Sequence, residues 1–118
     1  MRISSVRVVL SFFTIFWCGM VPAQEYKSLQ GRYAVSGAHL VDPMPGEKRD
    51  RAVFFIEGQA AIDMYNGMSQ KPAKDRCAAD LTSKSAGNLV CSKTDDNKFF
   101  CSFAVSMKDG RTLNGRTC

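Results

Sequence analysis

The sequence predicts an α+β fold: a small antiparallel sheet of four to five strands, one short helix packed on it, and two disulfides. Three observations carry this. Between Lys98 and Met107, Phe99, Cys101, Phe103, Val105 and Met107 alternate with Phe100, Ser102, Ala104 and Ser106. That is the period of a strand with one buried and one wetter face. Between Gly58 and Met68, Ala60, Ala61, Met64, Tyr65 and Met68 fall at helical spacing, with Asp63 off the stripe. Finally, Cys77, Cys91, Cys101 and Cys118 follow a segment built like an export leader.

That leader covers residues 1–23. A charged start carries Arg2 and Arg7, Val8 to Trp17 is apolar, and Val21-Pro22-Ala23 offers small side chains where a signal peptidase cuts. The apolar run is about ten residues, roughly half of what a membrane span needs. Acylation at Cys18 is disfavoured because the bulky Trp17 precedes it. Cleavage before Gln24 also removes Cys18 and leaves an even number of cysteines, as an oxidising compartment requires. The expected organisation is a signal peptide over 1–23 and a single domain over 24–118, periplasmic or secreted.

Within that domain Gln24–Gln30 is a lead-in. Arg32–Val41 reads as a strand, with Tyr33, Val35, His39 and Val41 on one parity and a bend at Gly37. Asp42-Pro43-Met44-Pro45-Gly46-Glu47-Lys48-Arg49-Asp50 is a loop by its prolines, glycine and charges. Arg51–Glu57 encloses Ala-Val-Phe-Phe-Ile, which suits a strand buried on both faces. The simplest link between these strands is an antiparallel hairpin. The helix follows over Gly58–Met68, with Gly67 as its stop signal. Ser69–Gly87 is polar and reads as a long connection with one helical turn at Ala78–Leu81, pinned by Cys77. Asn88–Lys93 and Lys98–Met107 are strands around a Thr94–Asn97 turn. Asp109-Gly110 turns the chain again, and Arg111–Leu113 is a short return strand.

Four cysteines allow three pairings. With Asp95 and Asp96 as the central turn residues, Cys91 faces Phe100 and Cys101 faces Val90. The two thiols then point to opposite faces and cannot bond. One extra residue in the turn reverses this. The preferred pairing is Cys77 with Cys91 and Cys101 with Cys118. Zinc is disfavoured because the chain has no Cys-x-x-Cys pair.

Removing Arg2 and Arg7 takes the net charge from +5 to +3. The remaining basic residues are scattered and match no nucleic-acid-binding motif, so a nucleic-acid partner is not expected. His39 is the only histidine, and Ser36, three residues earlier, lies on the other face of a strand. No Gly-x-Ser-x-Gly elbow or phosphate-binding glycine loop is present. Glu57 and Asp63 are the only candidate carboxylates for acid–base work, and they are of a kind found on any surface. Catalysis and cofactors are therefore not expected. The expected role is binding: a small exported inhibitor or immunity protein that sterically blocks a cell-wall hydrolase or toxin, with Lys48, Arg49 and Arg51 matching acidic groups in its cleft. The alternative is an accessory subunit of an envelope or secretion complex.

Overall fold

The computed structural model describes residues 18–20, 22–40 and 43–116. The charged start and apolar run of the expected leader, Val21 and Cys118 lie outside the described residues. The elements are β1 (Gln30–Ser36), β2 (Arg51–Glu57), α1 (Gly58–Gly67), β3 (Ala73–Lys74), β4 (Leu81–Ala86), β5 (Leu89–Thr94), β6 (Phe99–Ser106) and β7 (Thr112–Leu113). They form one antiparallel sheet in the order β1-β2-β6-β5-β4-β3, and β7 continues along β6 where β5 ends. The α+β class is as expected.

The sheet has seven strands rather than four or five. The additional ones, β3 and β4, fall inside the stretch read as a connection. Leu81-Thr82-Ser83-Lys84-Ser85-Ala86 has no apolar alternation to announce a strand. It is one because its polar side chains find partners on both faces. On the helix side, Lys84 Nζ donates to the carbonyls of Tyr65 (3.0 Å) and Met68 (3.2 Å) and lies 4.5 Å from the Tyr65 ring centroid. An ammonium at a helix C-terminus satisfies carbonyls that have no intrahelical partner and complements the helix dipole. Ala78–Leu81 does make a turn, closed by Leu81 N–H on the Ala78 carbonyl (3.2 Å).

The helix forms as its spacing predicts. Ala61 and Tyr65 are buried against Ile56, Cys91 and Cys101, with Met64, Met68, Leu89, Phe99 and Phe103 around them. Tyr65 meets Phe99 edge-on at 5.3 Å, a favoured aromatic geometry. Strand β2 is half-buried rather than buried throughout: only Ile56 is fully enclosed. It runs between β1 and β6, stacking Phe54 on Phe103 at 5.2 Å and Phe55 on Phe100 at 5.1 Å on opposite faces. Strand β1 ends at Ser36, short of Val41, because the Ser36 hydroxyl donates to the carbonyls of His39 and Leu40 (3.0 Å each) and turns the chain away.

The expected cysteine pairing is wrong. Asp95, Asp96 and Asn97 together form the hairpin loop, with Asn97 at φ 62°. Thr94 N–H donates to the Lys98 carbonyl (2.9 Å), and Asn97 N–H to the Thr94 carbonyl (3.0 Å). Asparagine tolerates this left-handed backbone better than most residues. The third loop residue shifts the register by one, so Cys91 lies opposite Cys101 with Cα atoms 4.0 Å apart, and the two form a disulfide. Neither Cys77–Cys91 nor Cys101–Cys118 exists. Cys77 is engaged in a disulfide as well. The Cys91–Cys101 bridge is fully buried beneath α1.

Candidate functional site

The loop between β1 and β2 is organised by one side chain. Met44-Pro45-Gly46-Glu47 closes a turn with Glu47 N–H on the Met44 carbonyl (3.0 Å). Proline sets the first central position, and Gly46, at φ 77°, fills the second, where a side chain would be strained. The turn folds the Glu47 carboxylate back over the loop. It accepts the N–H groups of His39 and Met44 (2.8 Å each) and lies 3.2 Å from His39 Nδ1 through both oxygens. The His39 amide foremost, aided by the Met44 amide and the imidazole, holds the Glu47 carboxyl below the usual carboxylate range, against partial burial that acts the other way.

Lys48 and Arg49 leave this frame exposed, and Arg51 is half-buried at the start of β2. Among the described residues none of the three is in an ion pair. Met107 N–H donates to the Asp50 carbonyl (2.7 Å), which sets the turn after β6 beside the loop. That turn adds the exposed Lys108, while Arg111 is taken up by Asp109 (2.8 Å). The result is a positively charged end of the sheet on a tied-down backbone.

A second polar centre lies at the opposite edge of the sheet. Asp75, just after β3, has a side chain 4% exposed, and it faces the 19%-exposed Arg116. Arg116 binds it through both terminal nitrogens (2.7 and 2.9 Å). Asp75 also accepts the Ser83 hydroxyl (2.5 Å) and the N–H groups of Cys77 (2.8 Å) and Ala78 (3.3 Å). Because the Ser83 proton goes to Asp75, Ser92 donates to Ser83 (2.6 Å). The Arg116 guanidinium foremost, then the Ser83 hydroxyl and the Cys77 amide, hold Asp75 far below the usual carboxylate range despite its burial. This pairing spans much of the sequence, and no local pattern announces it. By contrast, Pro45-Gly46-Glu47 is a turn signal from which the Glu47 hub is readable.

The remaining candidates do not converge. Glu57 pairs loosely with Arg32 (3.8 Å) and Asp63 with Lys27 (3.8 Å) on an exposed surface. His39 lies beyond β1, exposed, rather than on a strand face among apolar neighbours. The Ser36 hydroxyl points to backbone carbonyls, not to the imidazole. Among the described residues no three His, Cys, Asp or Glu side chains gather to hold a metal ion, and no helix is long and apolar enough to cross a membrane. Compared with known proteins, the chain matches no family model, no curated protein and no solved structure.

Proposed function

We propose that this protein is a small exported binding module, without catalytic activity of its own, that blocks an enzyme by inserting the loop Pro43–Asp50 into an acidic cleft. The observation that carries this reading is the Glu47 hub, which fixes the loop backbone and leaves Lys48 and Arg49 free and exposed. A loop ordered before binding loses little conformational entropy on association. Its charges suit a cleft lined by carboxylates, as in glycoside hydrolases that cut cell walls, or a toxin of similar chemistry. The export leader and the buried disulfide fit a periplasmic or secreted location.

The test is capture and inhibition across a panel of lysozymes, amidases and secreted toxins. One enzyme is retained and inhibited by the native protein. The variant Lys48→Glu/Arg49→Glu/Arg51→Glu binds it at least about tenfold more weakly and loses the salt dependence of association. A panel in which no enzyme is retained, or a variant that inhibits as well as the native protein, overturns the reading.

A second reading, an accessory subunit of an envelope complex, is favoured by the β1 edge. There Leu29 and Tyr33 stand exposed at a cavity of about 170 Å³, and Val35 is exposed further along the strand. Open strand edges accept a further strand from a partner. Co-purification with envelope material that is lost on Val35→Pro supports this reading over the first.

A further inference from the structure

We propose that the cavity between β3, β4 and the C-terminal segment is a binding site for an anionic saccharide, a sugar carrying a phosphate or carboxylate group. The cavity holds about 500 Å³, within the roughly 300–1,000 Å³ of small-ligand sites. It lies at the far edge of the sheet from β1, separate from the Lys48 loop.

Charge selects the anion. Lys71, Lys74 and Arg76 line the cavity and are exposed, and among the described residues none is in an ion pair. The one carboxylate among the described lining residues, Asp75, is already engaged by Arg116, Ser83 and two backbone N–H groups. It neither repels an incoming anion strongly nor neutralises the lysines. Cations crowded around one concavity attract an oxyanion more strongly than the same charges dispersed.

The rest of the wall selects a hydroxylated body. Gln70, Ser85 and Asn114 supply amide and hydroxyl groups, and Val90 and Ala73 are the only aliphatic side chains among the described lining residues. Among the described lining residues there is no aromatic ring on which a base could stack, and no apolar surface long enough for an acyl chain. Sugar hydroxyls are the groups such a surface pairs with.

The wall is also built rather than incidental. A Cβ at Gly115 would fall 2.8 Å from the Phe103 backbone. With glycine there, the C-terminal segment lies directly against β6 and carries Arg116 to Asp75. The same segment places Asn114 in the cavity wall, where its side-chain oxygen accepts the Arg116 backbone N–H (3.0 Å) and its amide nitrogen has no partner among the described residues.

The experiment is a two-dimensional NMR titration of the full mature chain at low salt with glucose 6-phosphate, glucuronic acid, glucose and inorganic phosphate. Glucose 6-phosphate or glucuronic acid gives saturable shifts at the amides of Ser85, Gly87 and Arg116. Glucose gives none, and inorganic phosphate binds at least about tenfold more weakly. Lys74→Ala/Arg76→Ala lowers the affinity about tenfold or more with an otherwise unchanged spectrum. Lys48→Glu/Arg49→Glu/Arg51→Glu leaves it unchanged, which keeps the result independent of the inhibitory loop. The proposal is overturned if no anionic sugar saturates, if inorganic phosphate binds equally well, if the shifts map to the Lys48 loop, or if the Lys74/Arg76 variant binds normally.

Discussion

Replacing Asp75 with alanine removes the most heavily bonded side chain among the described residues. Its carboxylate accepts from both terminal nitrogens of Arg116, from Ser83 and from two backbone amides, at 4% exposure. The loss has two parts. Ser83 and the amides of Cys77 and Ala78 lose an acceptor, and Arg116, itself 19% exposed, loses its counter-ion. Breaking a buried pair from one side costs about 3–5 kcal/mol, mainly because the surviving charge is left uncompensated. For a domain of this size that lowers the midpoint of thermal unfolding by at least about 12 °C. The effect depends on pH. The folded carboxyl is held far below its unfolded value of about 3.9, so its contribution is fully present above about pH 4 and declines as pH falls through the folded value. Urea unfolding of native and Asp75→Ala proteins at pH 7, 5 and 3 measures this. The gap is largest at pH 7, nearly the same at pH 5, and smaller at pH 3. A difference under about 1 kcal/mol at pH 7, or one that does not change with pH, refutes the reasoning.

Three further outcomes follow from the same geometry. Cys91→Ala/Cys101→Ala lowers stability by about 2.5–3 kcal/mol from loss of the ten-residue cross-link, and in the native protein the bridge resists reductant until denaturant is added, as thiol titration reads. Lys84→Met keeps the aliphatic stem but removes the ammonium from the Tyr65 and Met68 carbonyls; chemical denaturation shows a loss of about 1–2 kcal/mol, reported by the near-ultraviolet signal of Tyr65. Glu47→Ala frees the β1–β2 loop while leaving the sheet folded, so trypsin cuts after Lys48 or Arg49 about tenfold faster. The ratio of the two cleavage rates, taken at the same pH, shrinks as pH falls toward the depressed Glu47 value, where the native loop loses its hydrogen bonds.

How much of this was legible in the sequence depends on whether the signal was local. The alternation through Phe99–Met107 and the stripe from Ala60 to Met68 are local patterns, and both elements form where they predict. Strand β4 was invisible because nothing apolar marks it. Its place is set by Lys84 reaching the end of a helix sixteen to nineteen residues earlier in the chain and by Ser83 meeting Asp75 and Ser92. The disulfide error came from a single residue. A two-residue turn at Asp95-Asp96 keeps the thiols apart, whereas the left-handed backbone of Asn97 brings them together. The candidate site divides in the same way. The exposed Lys48 and Arg49 were readable from composition, but the Asp75–Arg116 pair needed the fold to meet.

The strand that unites these features is β6, because it alone pairs with three others, β2, β5 and β7. On its helix-facing side, Phe99, Cys101 and Phe103 join the apolar core and the buried disulfide. At its C-terminal end, the bond from Met107 to Asp50 holds the basic loop in place. Along its other flank, β7 leads into the segment that delivers Arg116 to Asp75. The basic end and the polar cavity are thus fixed to one strand but share no side chain. Substitutions at Lys48 or Arg49 remove no buried contact, and those at Lys74 or Arg76 change exposed side chains at the opposite edge. Each surface can therefore be altered while the core that positions both remains intact, which is the condition under which loss of binding reports on the surface and not on the fold.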